Sequence, residues 1–364
     1  MIIAADRIAG AGDGPGFVEI DDDMIVRVQS GPSPAQPDMS GSTLLPGFID
    51  LHMHGGGGHD AARSVDDAAA AVSFHHRHGT AATLVSLVTA PADDLLKQLD
   101  DVATLADRGE QPHGWVLGSH LEGPFLSHVR CGAQNPDHLV APDIGLTRDF
   151  IAAGRGQLRS MTVAPELPGA LDVIDLLVES GIVAAVGHTD GTYAETSLAF
   201  EHGATLATHL FNGMRPMHHR EPGPILATVD HGVACELIND AVHVHPALVQ
   251  RMLAVSPVIL ITDAIDATGI GDGNYRLGGK EVVVRDGQAR LADSGSLAGS
   301  TVTMVGAVGR ALADGASVDV VAAAAAGRPA QLLGVTDCLG SIAPGRRARL
   351  VLLDSEHRLV DVTL

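Results

Sequence analysis

The chain reads as an α/β protein: a parallel (β/α)8, TIM-like barrel with a small second β unit formed by its two ends. Three observations predict this. Eight short apolar runs alternate with helix-like segments through the middle of the sequence. Both ends carry short alternating strands instead, and residues able to bind metal or move a proton recur where the apolar runs stop.

In chain order, residues 17–20 and 24–28 are short apolar runs separated by Gly, Asp and Pro, and 349–353 and 359–364 have the same character. These ends are expected to meet in one β unit, dividing the chain into 1–43, a barrel over 44–339 and 340–364. The barrel strands are expected at 44–51, 81–88, 116–120, 158–163, 182–186, 205–209, 233–238 and 258–261. Helices fit between them, for example at 65–78, 92–108, 171–181 and 193–202, with Gly79, Gly181 and Gly203 where helix C-caps fall. An inserted hairpin is expected near 275–292, turning at Asp286-Gly287. An Ala-rich helix at 318–326 carries no assigned function.

Composition narrows the functions. With 364 residues, 45% of them hydrophobic, a large core is available. The 23 basic residues against 44 acidic ones give a net charge of -21, which excludes nucleic acid and anionic membranes as expected partners. A site for an anionic substrate must then be a local basic pocket. Cys131, Cys235 and Cys338 are far apart and form no CxxC pair, so neither a disulfide framework nor a thiolate zinc site is indicated. The start, MIIAADRIAG, lacks the pattern of a signal peptide, and no uncharged apolar stretch reaches spanning length. A cytoplasmic protein is expected.

The chemistry begins in LLPGFIDLHMHGGGGHD, residues 44–60. On a strand, His52 and His54 point the same way. Two imidazoles side by side before a glycine loop make half a metal site; alone, the pair reads equally well as two buried histidines. The later strands end near His120-Leu121-Glu122, His188-Thr189-Asp190, His209, Asn239-Asp240 with His243 beyond, and Thr262-Asp263. The C-terminal strand ends of such a barrel form its active face, so these residues are expected to converge. Imidazole and carboxylate without thiolate suit Zn²⁺ first, with Fe²⁺ or another divalent ion as alternatives. Glu122, His188 and His209 would make one site. His52 and His54 would make a second, bridged by Glu122. The only lysines, Lys97 and Lys280, end no predicted strand, which removes a lysine bridge and Schiff-base chemistry. Asp263, beside the metal and a candidate ligand itself, could take a proton from metal-activated water and return it to a leaving group. Its other reading is a helix N-cap.

At these residues the chain resembles the N-acetylglucosamine-6-phosphate deacetylases of the amidohydrolase superfamily. The matching stretches are PGFIDLHMHG (46–55), HLEGPF (120–125), APE (164–166), GHTD (187–190), THLFNGM (208–214), REPG (220–223), ITDA (261–264) and LAGS (297–300), in the family's order. The resemblance implies a barrel with a β-sandwich, and metal-dependent hydrolysis of N-acetylglucosamine 6-phosphate to glucosamine 6-phosphate and acetate, a step of amino-sugar catabolism and cell-wall recycling. It implies that Glu122, His188 and His209 are the principal ligands, with one or two ions per subunit according to whether His52 and His54 take part. It implies Asp263 as the acid and base, His243 near the acetyl carbonyl, and Asn212, Gly213 and the Ala298-Gly299 pair at the substrate. Arg220 matches an arginine supplied to the phosphate from the neighbouring subunit, which implies a homodimer; His218 and His219 flank it. The chain departs from the family at Arg130-Cys131-Gly132-Ala133-Gln134-Asn135-Pro136, where relatives often carry a basic residue and a histidine. Gln134 there is neither a base nor a good ligand. Cys131 reads as a substrate-facing loop residue, as a redox-sensitive thiol, or simply as a small loop residue.

Two other readings stay open: another small-amide or base amidohydrolase, such as a deaminase or cyclic amidase, and a non-catalytic homologue that binds metal or sugar phosphate. Neither uses the whole set. The first needs no REPG arginine, and the second gains nothing from Asp263.

Overall fold

The computed structural model describes residues 1–363 apart from 13, 34–40 and 110–113; Leu364 and residues 34–40, which fall within expected segments, lie outside the described residues. Eight parallel strands form one sheet: β1 (Phe48–Met53), β2 (Thr80–Val88), β3 (Trp115–Glu122), β4 (Leu158–Val163), β5 (Val183–Val186), β6 (Leu206–Ala207), β7 (Ala234–Ile238) and β8 (Val258–Ile261). Each is hydrogen-bonded to its sequence neighbour. Beyond the strand ends, the Asp263 N–H donates to His52 O at 2.8 Å and the His54 N–H to Ala264 O at 2.9 Å, drawing β8 against β1. The sheet is thus a nearly closed barrel.

Helices α1 (Val65–His76), α2 (Ala92–Ala106), α3 (Ile144–Ala153), α4 (Ala170–Glu179), α5 (Tyr193–Glu201), α6 (Gly223–Asp230), α7 (Pro246–Val255) and α8 (Met304–Ala313) follow the strands in turn. Local chemistry sets their starts. Ser64 accepts the Asp67 N–H, Asp143 accepts the Leu146 N–H, and Thr192 with Glu195 forms a reciprocal capping box. Gly79, Gly181 and Gly203 follow α1, α4 and α5 with positive φ, where a side chain would be strained. All nine residues of β2 are buried, as expected for a parallel strand covered on both faces.

The apolar run at 44–51 is two strands, not the single one expected. Thr43–Pro46 pairs antiparallel with Leu350–Leu353 and parallel with Arg7–Ile8, while the barrel strand starts at Phe48. Pro46 has no N–H for a further ladder bond, and the break at Gly47 re-aims the chain between the two sheets. Arg7–Ile8, Thr43–Pro46, Leu350–Leu353 and Leu359–Thr363 form one four-stranded sheet; Ile2–Ala5, Gly16–Asp21 and Met24–Ser30 form a three-stranded one. Val18, Ile25, Leu44, Leu45, Val351 and Leu353 from both sheets share one buried cluster.

The insertion after β8 is a three-stranded meander rather than a hairpin: Gly273–Leu277, Lys280–Arg285 and Gln288–Leu291. Its turns are Gly278-Gly279 and Asp286-Gly287, all four residues with positive φ, the geometry of tight two-residue hairpins. The Ala-rich segment is helical at Val318–Ala322, widens into a π turn at Ala323–Gly327 and continues at Arg328–Leu333. No described helix is long and apolar enough to cross a membrane.

Candidate metal centre and active-site cleft

Glu122 ends β3 with both carboxylate oxygens turned toward imidazoles from other strands. Its Oε1 lies 3.0 Å from His188 Nε2 and 2.9 Å from His209 Nε2. Its Oε2 lies 3.4 Å from His54 Nε2 and 3.6 Å from His52 Nε2. Within each histidine pair the Nε2 atoms are 3.1 Å apart. Two groups of donor atoms spaced to hold a metal therefore share Glu122: His52 with His54, and His188 with His209. All five residues are buried.

The opposite ring nitrogens test whether this arrangement fits a cation. His52 Nδ1–H donates to Glu236 at 3.1 Å, His54 Nδ1–H to Ser86 O at 3.1 Å, and His188 Nδ1–H to Arg130 O at 2.8 Å. A proton fixed on Nδ1 leaves the Nε2 lone pair as the ligand atom, the usual support for a metal-binding histidine. The residues fit a divalent ion.

Backbone strain marks the same place. His188, His209 and Asp263 have φ of 45°, 26° and 50°, a left-handed conformation uncommon for residues with a side chain. Polar contacts hold these turns. Glu166, of the APE stretch, accepts the Thr189 hydroxyl at 2.6 Å and the Asp190 N–H at 2.7 Å. Asp190 in turn binds Arg130 at 2.8 Å and Arg215 at 2.9 Å. Gly213 packs against the His188 ring, where a Cβ would come within 2.8 Å of Nδ1.

Asp263 Oδ1 stands 3.2 Å from His54 Nε2 and 3.5 Å from His52 Nε2. Burial alone would raise its carboxyl, but His52 and His54 outweigh that and hold it below the ordinary value. Burial likewise opposes charge on His54, yet the Asp263 and Glu122 carboxylates lift the ring from 6.5 to about 9. A raised imidazole stabilises the fold below 6.5, and that contribution is lost as pH rises through about 9. A cation must displace this proton. We expect metal uptake by chelator-treated protein to release protons at pH 7 and to tighten by about tenfold per pH unit for each proton displaced, levelling off above about 9. Calorimetry in buffers of different ionisation enthalpy measures this, and a pH-independent affinity would contradict it.

A cleft of about 220 Å³ opens over the centre. Glu122, His54, His188, His209 and Asp263 face it from below, His243, Asn212 and Gly213 from one side, and Gln134 and Gly299 from loops. Asp240 accepts the His243 Nδ1–H at 2.7 Å; burial opposes the Asp240 charge, but this bond holds the carboxyl below its ordinary value. Ala298 and Cys131, expected at the substrate, do not line this cleft, and neither does Arg220, which was expected at a neighbouring subunit's site. Ala298 is fully buried in an apolar cluster with Ile265 and Leu291, one residue from the cleft wall, because its N–H is tied to Ala289 O at 3.1 Å. Cys131 is half-buried outside the lining while its carbonyl accepts the Gln134 N–H. Arg220 is exposed on the loop before α6, beside His218 and His219, and hydrogen-bonds His219 at 3.0 Å, away from its own chain's cleft.

Several contributors had only faint sequence signals. Glu236 orients His52 and accepts the His209 N–H at 3.2 Å; its signal was one charge inside the apolar run ACELI. Asp50 accepts the Thr262 hydroxyl at 2.6 Å, and burial pushes its carboxyl up to about 6. His120 is no ligand, since both ring nitrogens bond hydroxyls, of Ser86 at 3.0 Å and Thr162 at 2.8 Å. Gln134, neither base nor ligand, acts as a clamp: its amide donates to Glu122 Oε2 at 2.7 Å and its oxygen accepts the Thr89 N–H at 2.8 Å.

Comparison with known proteins identifies the family. The Amidohydrolase family pattern matches residues 43–363. An N-acetylgalactosamine-6-phosphate deacetylase of Escherichia coli O157:H7 is 39% identical over 86% of this chain and 84% of its own. The N-acetylglucosamine-6-phosphate deacetylase of Bacillus subtilis is 34% identical over 95% of this chain and 90% of its own. The solved structure of a Mycobacterium smegmatis N-acetyl-D-glucosamine-6-phosphate deacetylase, an aspartate-to-alanine mutant in complex with N-acetyl-D-glucosamine-6-phosphate, superposes with a TM-score of 0.93 at 41% identity. That match covers 100% of this chain and 97% of the other. The chain belongs to the amidohydrolase family, in the N-acetylglucosamine-6-phosphate deacetylase group that its motifs resemble.

Proposed function

We propose that this protein hydrolyses the N-acetyl group of N-acetylglucosamine 6-phosphate, releasing glucosamine 6-phosphate and acetate. The observation that carries the reading is Asp263, an ionised carboxylate held against the shared His and Glu cluster at the floor of a cleft, with His243 on the cleft wall. Zn²⁺ is the ion the imidazole and carboxylate donors suit best; Glu122, His188 and His209 would hold it, and His52 and His54 with Glu122 would hold a second ion. When bound, such an ion acidifies water and polarises a carbonyl.

The chain's own residues do the rest. Asp263 takes a proton from the attacking water at the cleft floor. His243, held by its Nδ1–H bond to Asp240, stands on the cleft wall beside the acetyl group. Asp263 then passes its proton to the amine nitrogen as the C–N bond breaks, so one water is divided between acetate and amine. Asn212 and Gly213 hold the sugar side. Arg220, exposed on the loop before α6, meets the 6-phosphate of substrate bound by a neighbouring subunit in a homodimer. The absence of a disulfide among the three cysteines supports a reducing, cytoplasmic setting.

Acetate release tests this directly. Zinc-loaded protein should turn over N-acetylglucosamine 6-phosphate quickly and unphosphorylated N-acetylglucosamine slowly. N-acetylgalactosamine 6-phosphate belongs in the same assay, because the galacto relative is 39% identical. Faster release from it would reassign the sugar epimer, and no release from any of the three would sink the deacetylase reading.

A further inference from the structure

A second pocket of about 390 Å³ adjoins the cleft and shares lining residues with it. His54, Val88, Leu277 and Gly278 line both spaces. Val88 is the last residue of β2, and Leu277-Gly278 is the first tip of the inserted meander. Both apolar side chains are buried and belong to one cluster. A Cβ on Gly278 would sit 3.0 Å from Val88 Cγ2, so the tip is closed against the strand. The meander takes no part in the barrel ladder; its tip contributes a wall and nothing to closure of the sheet.

Barrel order fixes what this wall faces. Asn212 and Gly213 follow β6, and β2 lies four strands away, on the opposite side of the ring. With the sugar on the β6 side and the reacting carbon over Asp263, the acyl group points toward β2. Near the centre, Val88 and Leu277 there offer an apolar surface to the one apolar part of the amide, its methyl group. We propose that Val88 and Leu277 form the acyl-length gate of the enzyme, so that trimming either side chain makes room for linear acyl groups a little longer than acetyl. The inference rests on the deacetylase reading and deepens it. Beyond the gate Ala62, Ala90 and Pro91 are apolar, but Asp60, Arg63 and Asp94 line the same pocket, so the room gained suits short chains only.

The test compares zinc-loaded wild type, Leu277→Ala and Val88→Ala on the N-acetyl, N-propionyl and N-butyryl derivatives of glucosamine 6-phosphate. The gate predicts that the butyryl-to-acetyl ratio of kcat/KM rises by about tenfold or more in either variant, since one methylene is typically worth 10-fold or more in a closed pocket. An unchanged ratio in a folded, metal-loaded variant would overturn it, as would a wild type that already takes butyryl as readily as acetyl. Val88 lies on the barrel and Leu277 on the meander, so loss of folding in one variant leaves the other to decide. Failure of the wild type on the acetyl substrate would instead count against the function itself.

Discussion

Replacing Asp263 with Asn is expected to lower kcat by about 10³-fold while leaving metal content and substrate affinity nearly unchanged. Proton transfer by a placed side chain is worth about 10²–10⁴ in rate, and this carboxylate serves twice, as base to the water and as acid to the amine. Asparagine is the informative replacement because the backbone at 263 has φ of 50°, which Asn tolerates and most residues do not. The Ser300 N–H to Asp263 O bond at 2.7 Å and the Asp263 N–H to His52 O bond at 2.8 Å are main-chain contacts and survive the change. Glu122, His188 and His209 keep their mutual geometry, so the principal ion stays. The variant should therefore bind N-acetylglucosamine 6-phosphate by calorimetry with a Kd close to that of the wild type. Turnover within about tenfold of the wild type would remove Asp263 from the proton path.

The barrel and the two histidine pairs were legible in sequence because their signals are local. A buried parallel strand is a continuous apolar run, and a ligand at its C-terminal end is the residue at which the run stops. What escaped depends on partners distant in the chain. Glu236 acts through His52, 184 positions away, and looks like an ordinary charge until β7 and β1 are placed in one ring. The division at Gly47 follows from pairing with Leu350–Leu353, which no periodicity within 44–51 encodes. Gln134 reads as a weakened histidine site but is an amide clamp, because Thr89 at the end of β2 supplies a donor for its oxygen. The positive φ values at His188, His209 and Asp263 were equally hidden: His and Asp enter the left-handed region more often than most residues, but too rarely for residue type to mark the turn.

Glu122→Gln should have the broader effect, removing both metals where a histidine substitution removes one. Glu122 is the only residue common to the two donor groups, one oxygen facing each. Breaking a buried charge pair by neutralising one partner costs about 3–5 kcal/mol, or roughly 10²–10³-fold and above in affinity. An amide nitrogen in place of either oxygen would also present hydrogens to the imidazoles or to Gln134, whose own amide already donates to Oε2. We therefore expect less than a tenth of the wild-type metal to remain after dialysis, with turnover lost in proportion. His54→Gln provides the contrast. It leaves Glu122, His188 and His209 in place, so metal should fall from two ions to one per subunit, and any remaining activity is that of the single-ion centre. Metal analysis of the two variants side by side distinguishes a shared carboxylate from two independent sites. If Glu122→Gln kept one ion at wild-type affinity, the bridge would be wrong, and each histidine pair would need another carboxylate, with Asp263 beside His54 and Glu236 behind His52 the nearest sources.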